Sequence, residues 1–285
     1  MRIDCCPPLR GAMRPPEDAL SVKFTGGAPV VFTAPHGVYV RRETVTCSGE
    51  PVFETHLPEK WTSFLALEFA WATGGASLTW SEAERERSKA TRTFNPEFVD
   101  PNCVAEHAGR GYNWGLALSR FGDEDGEVTG VFQRVKTKWF HVDIHGRRDP
   151  AVSHKTLGYG DIDIGTRALS VRHPELASKL TNAIGTRLRG VLGKWATEWT
   201  TKEILEADYM IVNETPVLSG ARDDGFLTLS QQGVKFGLCS VQLELSLRLR
   251  LVLKNDKRKA KQFALGLVEA WKDALDALEN SDESK

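Results

Sequence analysis

A mostly apolar run, Val30–Ala34, is followed at once by Pro35-His36-Gly37. A run of this kind, without polar alternation, predicts a strand buried on both faces, as in the parallel sheets of α/β proteins. Such sheets place their binding and catalytic groups at the carboxyl ends of the strands. His36 is therefore a candidate site residue, although a histidine after a strand also serves often as a hydrogen-bonding turn residue.

Two further apolar runs carry polar residues of the same kind. Residues 139–146 end in Asp143-Ile144-His145-Gly146, and residues 239–245 hold Glu244 between two leucines. Because alternate residues share one face of a strand, the Asp143 carboxylate is placed to orient the His145 imidazole from outside the ligand shell. Two histidines and a glutamate on strand ends together indicate a metal-dependent hydrolase.

Glu244 shares its face of the strand with Gln242 and Ser246, so the strand has a polar face within apolar surroundings. Burial raises the pKa of a carboxyl group toward the range of a general base, which could take a proton from a metal-bound water during attack on an amide. The structural alternative is an ion pair between Glu244 and Arg248 or Arg250.

Two histidines require one more ligand to complete a catalytic zinc site. Such sites usually have three protein ligands and a water in the fourth position, whose pKa falls toward neutrality. Glu54, His56 and Glu59 are the nearest candidates. Glu59 sits at the predicted opening of a helix, where the helix dipole also favours an ordinary solvated glutamate. The residue types leave the choice open.

Helical periodicity and helix-ending residues predict the remaining architecture. Apolar residues at helical spacing predict a helix over residues 59–73, with Pro58 before it and Gly74-Gly75 at its end. The other predicted elements are a strand over 76–80, helices over 81–92, 174–195 and 257–278, a strand over 208–212 and a loop over 95–102. Strands alternating with helices predict an α/β fold, with a mostly parallel or mixed sheet in a three-layer arrangement and helices on both faces.

Length and composition predict one folded unit. The chain has 285 residues, of which 41% are hydrophobic, and we expect a single domain over residues 18–278, a loose arm over 1–17 and a polar tail over 279–285. The 37 basic and 38 acidic side chains give a net charge of −1, which provides no general attraction to nucleic acid or a membrane. Five scattered cysteines fit neither a disulfide framework nor a zinc finger, so we expect a reducing, cytoplasmic compartment.

The ordered motifs resemble those of the N-formylglutamate amidohydrolase family over roughly residues 30–250. The resemblance implies a phosphorylase/hydrolase-like α/β fold, kinship with zinc carboxypeptidases, and cleavage of a formyl amide by a metal-activated water. It also implies one Zn²⁺ per chain held by His36, Glu59 and His145, with Glu244 as the catalytic carboxylate. The motifs that carry it are Pro35-His36-Gly37, Ser88-Lys89 through Asn95, Asp143-Ile144-His145-Gly146 and Val241-Gln242-Leu243-Glu244.

Several basic positions of that family are replaced here. Lys89, Pro96 and Leu247 stand where the family usually has arginine, and Thr93 stands where it has aspartate. Arginine grips a carboxylate with two parallel hydrogen bonds, which lysine and proline cannot reproduce. The chemistry is thus expected to persist on a different small-molecule amide. The candidate substrate-binding residues are Lys89, Arg92, Asn95 and Arg147, with Arg148 beside the last.

Two other functions fit the same motifs. One is a carboxypeptidase-like peptidase or deacylase that acts on another acyl amide. The other is a ligand-binding protein of the same fold that keeps the metal but has lost catalysis along with the missing arginines.

Overall fold

The computed structural model describes residues 19–45, 51–96, 98–105, 113–122, 139–149, 160–197, 210, 212–214, 219–223 and 225–282. The expected arm over 1–17 lies outside these ranges, as do most of the strand predicted over 208–212 and the last residues of the polar tail. Among the described helices, none combines the length and the apolar character needed to cross a membrane.

A seven-stranded mixed sheet forms the centre of the molecule, in the order β1-β5-β2-β7-β11-β8-β9. Strands β5, β2, β7 and β11 run parallel to one another, whereas β1 is antiparallel to β5 and β8 is antiparallel to β11. The predicted three-layer α/β fold with a mixed sheet is confirmed. The strands are β1 (Leu20–Phe24), β2 (Val30–Ala34), β3 (Val40–Val45), β4 (Pro51–His56), β5 (Ala76–Trp80), β6 (Val104–Ala105), β7 (Phe140–Arg147), β8 (Ile162–Gly165), β9 (Val212–Asn213), β10 (Phe226–Leu227) and β11 (Cys239–Ser246).

Helices cover both faces of this sheet. In β2, Val30 and Phe32 enter the larger core, against α1, α5 and α8, while Val31 enters the smaller core with Trp114 of α3. Both faces of the strand are therefore buried, which explains why apolar residues occupy four of its five positions. The helices are α1 (Thr62–Thr73), α2 (Glu82–Thr91), α3 (Asn113–Ser119), α4 (Arg167–Ser170), α5 (Pro174–Thr197), α6 (Leu229–Lys235), α7 (Leu247–Asn255) and α8 (Lys257–Asp282).

Several predicted boundaries are close to those observed. Gly74 ends α1 in the left-handed conformation, with φ of 72°, which glycine adopts at low cost. The Ser81 side chain accepts a hydrogen bond from the Glu84 backbone N–H and so begins α2. The last helix continues beyond its predicted end at Leu278 to Asp282.

The predicted position of Glu59 in the first turn of a helix is wrong. Helix α1 begins at Thr62, and Trp61 precedes it in the left-handed conformation with φ of 74°. The Glu59 N–H donates to the carbonyl of His36 at 2.8 Å, and the Thr62 hydroxyl donates to the Glu59 carbonyl at 2.9 Å. Because the left-handed conformation of Trp61 interrupts a helix, Glu59 belongs to the loop before α1, and its N–H ties that loop to the end of β2.

A hairpin that the sequence analysis did not predict lies between β2 and α1. Strands β3 and β4 pair antiparallel, with Val40 opposite His56 and Arg42 opposite Glu54. The hairpin brings Arg42 and His56 close to the end of β2, where His36 lies.

Candidate metal centre

His36 is buried directly after β2, and each of its ring nitrogens contacts a carboxylate. Its Nδ1 lies 2.9 Å from Oε1 of Glu59, and its Nε2 lies 2.7 Å from Oδ1 of Asp100. A turn histidine does not need two carboxylates, so this environment favours the functional interpretation of His36.

His145 repeats the same arrangement from β7. Its Nδ1 lies 3.5 Å from Oε2 of Glu59, and its Nε2 lies 3.0 Å from Oδ2 of Asp143. The two rings are edge to face, with their centres 4.7 Å apart. The two Nδ1 atoms therefore contact the two oxygens of the Glu59 carboxylate. Each Nε2 atom contacts a different carboxylate, that of Asp100 for His36 and that of Asp143 for His145.

Asp100 is a site residue that the sequence analysis missed. It is fully buried, and its carboxylate also accepts from Arg42 Nε at 2.8 Å and from the Asn102 backbone N–H at 2.8 Å. It lies in the loop predicted over 95–102, and 64 positions separate it from His36. No spacing in the sequence connects the two residues, because only the fold brings that loop over the end of β2.

His56 is a further donor beside the centre. Its ring stacks on that of His36 with the centres 4.1 Å apart, and its Nε2 lies 3.7 Å from Oε1 of Glu59. Ligand atoms of His36, His56 and Glu59 all lie within 4.8 Å of one another. Glu54, the remaining candidate, has an exposed side chain and lies on the wall of the adjacent cleft.

Glu244 lies on β11 directly opposite His145 of β7 in the strand register. Gln242 Nε2 donates to Glu244 Oε1 at 2.8 Å, and the carboxyl group is buried. Burial raises the pKa of Glu244 to about 7, and the nearby Glu59 and Asp143 charges add to the rise, while His145 and His36 oppose it. The carboxyl group therefore titrates near neutral pH.

The structural alternative for Glu244 is not observed. Among the described residues Glu244 forms no ion pair with Arg248 or Arg250. Arg248 donates from Nε and Nη2 to the two carboxylate oxygens of Asp161. Arg250 donates instead to backbone carbonyls.

The buried charges of the centre stabilise one another. Burial alone would disfavour the charged forms, but Asp100 and Glu59 raise the pKa of His36 to about 9. Asp143 and Glu59 likewise raise the pKa of His145, against the effect of burial. Burial opposes the ionised form of Glu59 as well, yet His36 and His145 hold its pKa below the usual range. In the absence of a metal, His36 and His145 therefore keep protons that a bound metal ion would have to displace.

Metal binding is expected to release protons and to strengthen as the pH rises. A protonated imidazole cannot bind a metal, and His36 loses its proton only as the pH rises through about 9. The apparent affinity should then increase about tenfold per pH unit for each proton released. Competition with a chelator of known affinity, from about pH 6.5 to about pH 9, measures this slope.

Asp100→Asn is the matched control for this experiment. It removes a carboxylate that raises the pKa of His36. The rise of metal affinity with pH should therefore occur at lower pH in this variant than in the wild type. An affinity that stays constant across the range would contradict the proposed role of His36.

A cleft of about 650 Å³ opens beside the centre, and most of its charged side chains are cationic. Lys60 and Arg148 form no ion pair with any described residue. Arg147 Nε lies 2.9 Å from Oδ2 of the buried Asp163. The charged side chains of the cleft wall are Arg42, Glu54, Glu59, Lys60, Arg147, Arg148 and Arg250.

The other predicted substrate-binding residues lie elsewhere. Lys89 is 79% exposed on α2 and lies 3.7 Å from Glu86. Arg92 is exposed and ends the same helix with φ of 52°. Neither of them, nor Asn95, belongs to the cleft wall.

Arg250 of α7 connects the three segments that build the site. Its guanidinium group donates to the carbonyl of Leu245 at 3.1 Å, to that of Arg147 at 2.8 Å, and to that of Lys60. A Cβ atom at Gly146 would lie 2.4 Å from this group, and the Gly146 N–H donates to Glu59 Oε2 at 2.8 Å. The Arg250 guanidinium group thus leaves no room for a side chain at position 146.

Arg250→Met is expected to lower the free energy of unfolding by about 2–4 kcal/mol, because it leaves three carbonyl groups without their donor. Urea denaturation measures the change, and Arg258→Met, at an exposed position of α8, is the matched control. A loss no larger than that of Arg258→Met would contradict the structural role of Arg250.

Comparison with known proteins does not assign a function to this chain. No family model matches the chain, and no curated protein is similar to it in sequence. Among solved structures, a bacteriophage poly-gamma-glutamate hydrolase aligns over 92% of this chain and 90% of its own, with 15% identity and a TM-score of 0.36. Similarity at that level says nothing about a shared activity. The fold and the site define an α/β protein with a buried candidate metal centre, and the resemblance to the N-formylglutamate amidohydrolase family stays a prediction.

Proposed function

We propose that this protein is a metal-dependent hydrolase of a small amide, with one Zn²⁺ bound by His36, Glu59 and His145. The observation that carries the proposal is the convergence of two imidazole Nδ1 atoms on the carboxylate of Glu59, at 2.9 and 3.5 Å. Two histidines and one glutamate are the protein ligands of one class of catalytic zinc site.

The surrounding residues fit such an ion. A histidine that binds a metal usually donates its other N–H to a carboxylate, which fixes the ring and its tautomer. Asp100 and Asp143 stand in those positions for His36 and His145. The mixed nitrogen and oxygen donors favour zinc over magnesium or calcium, which prefer oxygen ligands only. A bound zinc ion supplies a Lewis acid and a water of lowered pKa.

Glu244 supplies the acid–base chemistry of the proposed reaction. As a carboxylate it accepts a proton from the attacking water, and as a carboxylic acid it returns that proton to the amide nitrogen when the C–N bond breaks. Its pKa of about 7 suits both steps, because neither protonation state is rare at neutral pH. Gln242 holds one oxygen of the carboxylate in place.

The substrate proposed for this site carries a carboxylate next to its amide, as an N-formyl or N-acyl amino acid does. Lys60, Arg148 and Arg250 stand on the cleft wall beside Glu59, and Arg147 is the predicted substrate-binding residue that lies with them. Lys89, Arg92 and Asn95 stay predictions, for which the cleft provides no support.

A substrate panel tests the proposal. Purified protein loaded with zinc is given formyl, acetyl and peptidyl amides of glutamate, each beside the same compound with its carboxylates converted to amides. Hydrolysis of the formyl or acetyl compounds, with a clear preference for the charged form, is the expected result. Preferred release of a terminal residue from peptidyl amides would indicate the peptidase alternative. Binding without turnover of any compound would overturn the enzyme proposal and favour a binding protein.

A further inference from the structure

A row of buried polar side chains crosses three neighbouring strands behind the candidate metal centre. Thr33 of β2, His141 and Asp143 of β7, and Ser240 of β11 are each 0% exposed. His141 lies between the other two strands: its Nδ1 is 2.6 Å from the Ser240 hydroxyl and its Nε2 is 2.9 Å from the Thr33 hydroxyl. This row lies outside the ligand set, and within the described part of the chain it is joined to that set by the hydrogen bond between Asp143 and His145.

The hydrogen bonds of this row have one consistent direction. The Thr33 hydroxyl donates its single hydrogen to Oδ1 of Asp143 at 2.7 Å, so it must accept from His141 Nε2. Burial lowers the pKa of His141 to about 4, and a neutral imidazole with its hydrogen on Nε2 accepts at Nδ1. Ser240 is therefore the donor to His141.

Asp143 receives hydrogen bonds at both of its oxygens. Oδ1 accepts from Thr33, and Oδ2 accepts from Nε2 of His145 at 3.0 Å. With Oδ1 held by Thr33, the carboxylate keeps one orientation toward the His145 ring. The ring then presents its Nδ1, and not its Nε2, to Glu59.

Close packing leaves His141 little freedom to turn. Gly233 of α6 lies against the ring, and a Cβ atom there would be 2.6 Å from His141 Nδ1 and 3.0 Å from the Ser240 hydroxyl. The backbone of α6 therefore packs directly against the imidazole and holds it between Ser240 and Thr33. Since buried polar groups are costly to leave without a partner, the loss of any bond in the row destabilises the groups that it joins.

We propose that Thr33 and His141 are positioning residues for the metal centre: through Asp143 they hold His145 so that its Nδ1 is available as a ligand. The inference rests on the proposed zinc site, but it concerns residues that contact neither the metal nor the substrate. The hydrogen bonds of the row connect the metal centre to side chains of β2, β7 and β11.

The first test uses the wild-type, metal-free protein. Long-range ¹H–¹⁵N correlation spectra of the imidazoles should show His141 neutral, with its hydrogen on Nε2 at neutral pH. A hydrogen on Nδ1 would reverse the direction of the row and overturn the proposal, whether or not the protein binds zinc.

The second test compares Thr33→Val with Thr33→Ser. Valine keeps the shape of threonine but removes the hydroxyl, so the zinc affinity should fall about tenfold. Serine restores the hydroxyl and should restore the affinity. Both dissociation constants come from chelator competition on protein shown to be folded, and melting temperatures are measured beside them. Should Thr33→Val fail to fold, Ser240→Ala tests the far end of the row, with a smaller loss of affinity expected.

The outcomes separate this inference from the proposed function. Wild-type protein that binds no zinc would overturn the proposed function and the positioning role with it. Zinc binding by Thr33→Val as tight as that of wild type would overturn the positioning role alone. Weaker zinc binding by Thr33→Val that serine rescues would support both.

Discussion

Glu244→Gln is expected to reduce turnover by about 10²- to 10⁴-fold, the usual contribution of a positioned general acid–base group. Glutamine has nearly the shape of glutamate but cannot take up and return a proton. The metal content should stay at the wild-type value, because Glu244 lies beside the three proposed ligands and not among them. Rates on the substrate that the panel identifies, with metal analysis on the same preparation, measure both quantities.

Glu86→Gln is the matched control for this substitution. Glu86 is exposed on α2, where the same chemical change should leave the rate as it is. Turnover of Glu244→Gln at the wild-type rate, in protein loaded with zinc, would remove Glu244 from the mechanism.

His36→Ala and His145→Ala are each expected to lower the zinc content from about one ion per chain to almost none. Each substitution removes one of the three ligands that a catalytic zinc site typically has, and it also leaves a buried carboxylate, Asp100 or Asp143, without its imidazole. Elemental analysis of protein purified without a metal affinity column measures the content per chain.

His56→Ala is the informative comparison, because His56 lies beside the centre and is not among the proposed ligands. Retention of zinc in this variant would support the set of His36, Glu59 and His145. Loss of zinc from His56→Ala, together with its retention in His145→Ala, would instead favour the group of His36, His56 and Glu59.

The positions of His36 and His145 are the part of the site that the sequence predicted most directly. Each follows or ends an apolar run, and the runs form β2 and β7, which pair in parallel. Parallel neighbours end at the same edge of a sheet, so histidines at their carboxyl ends are brought close together. The face that His145 shares with Asp143 follows from the two-residue period of a strand.

The sequence predicted Glu59 near the centre because it was expected to open helix α1, and that expected position is incorrect. The helix pattern extends back to residue 59, but Trp61 adopts the left-handed conformation with φ of 74°, which interrupts a helix, so α1 begins only at Thr62. The family resemblance also pointed to Lys89, Arg92 and Asn95 as substrate-binding residues, whereas the cations of the cleft wall come from β3, the loop before α1, the end of β7 and α7. Motif positions carry no information on which loops fold over a site.

The sequence by itself determined the strands β2, β5, β7 and β11, the helices α1, α2, α5 and α8, and the two histidines, because burial on both faces and the periods of strand and helix are local properties of a chain. Only the tertiary structure decided which partners these histidines have. Asp100 meets His36 across 64 positions, and Thr33 meets Asp143 across 110. Such contacts depend on the order of the strands and on the loops above them, and that arrangement is stable because it gives His36, Asp100, Asp143 and His145 hydrogen-bond partners.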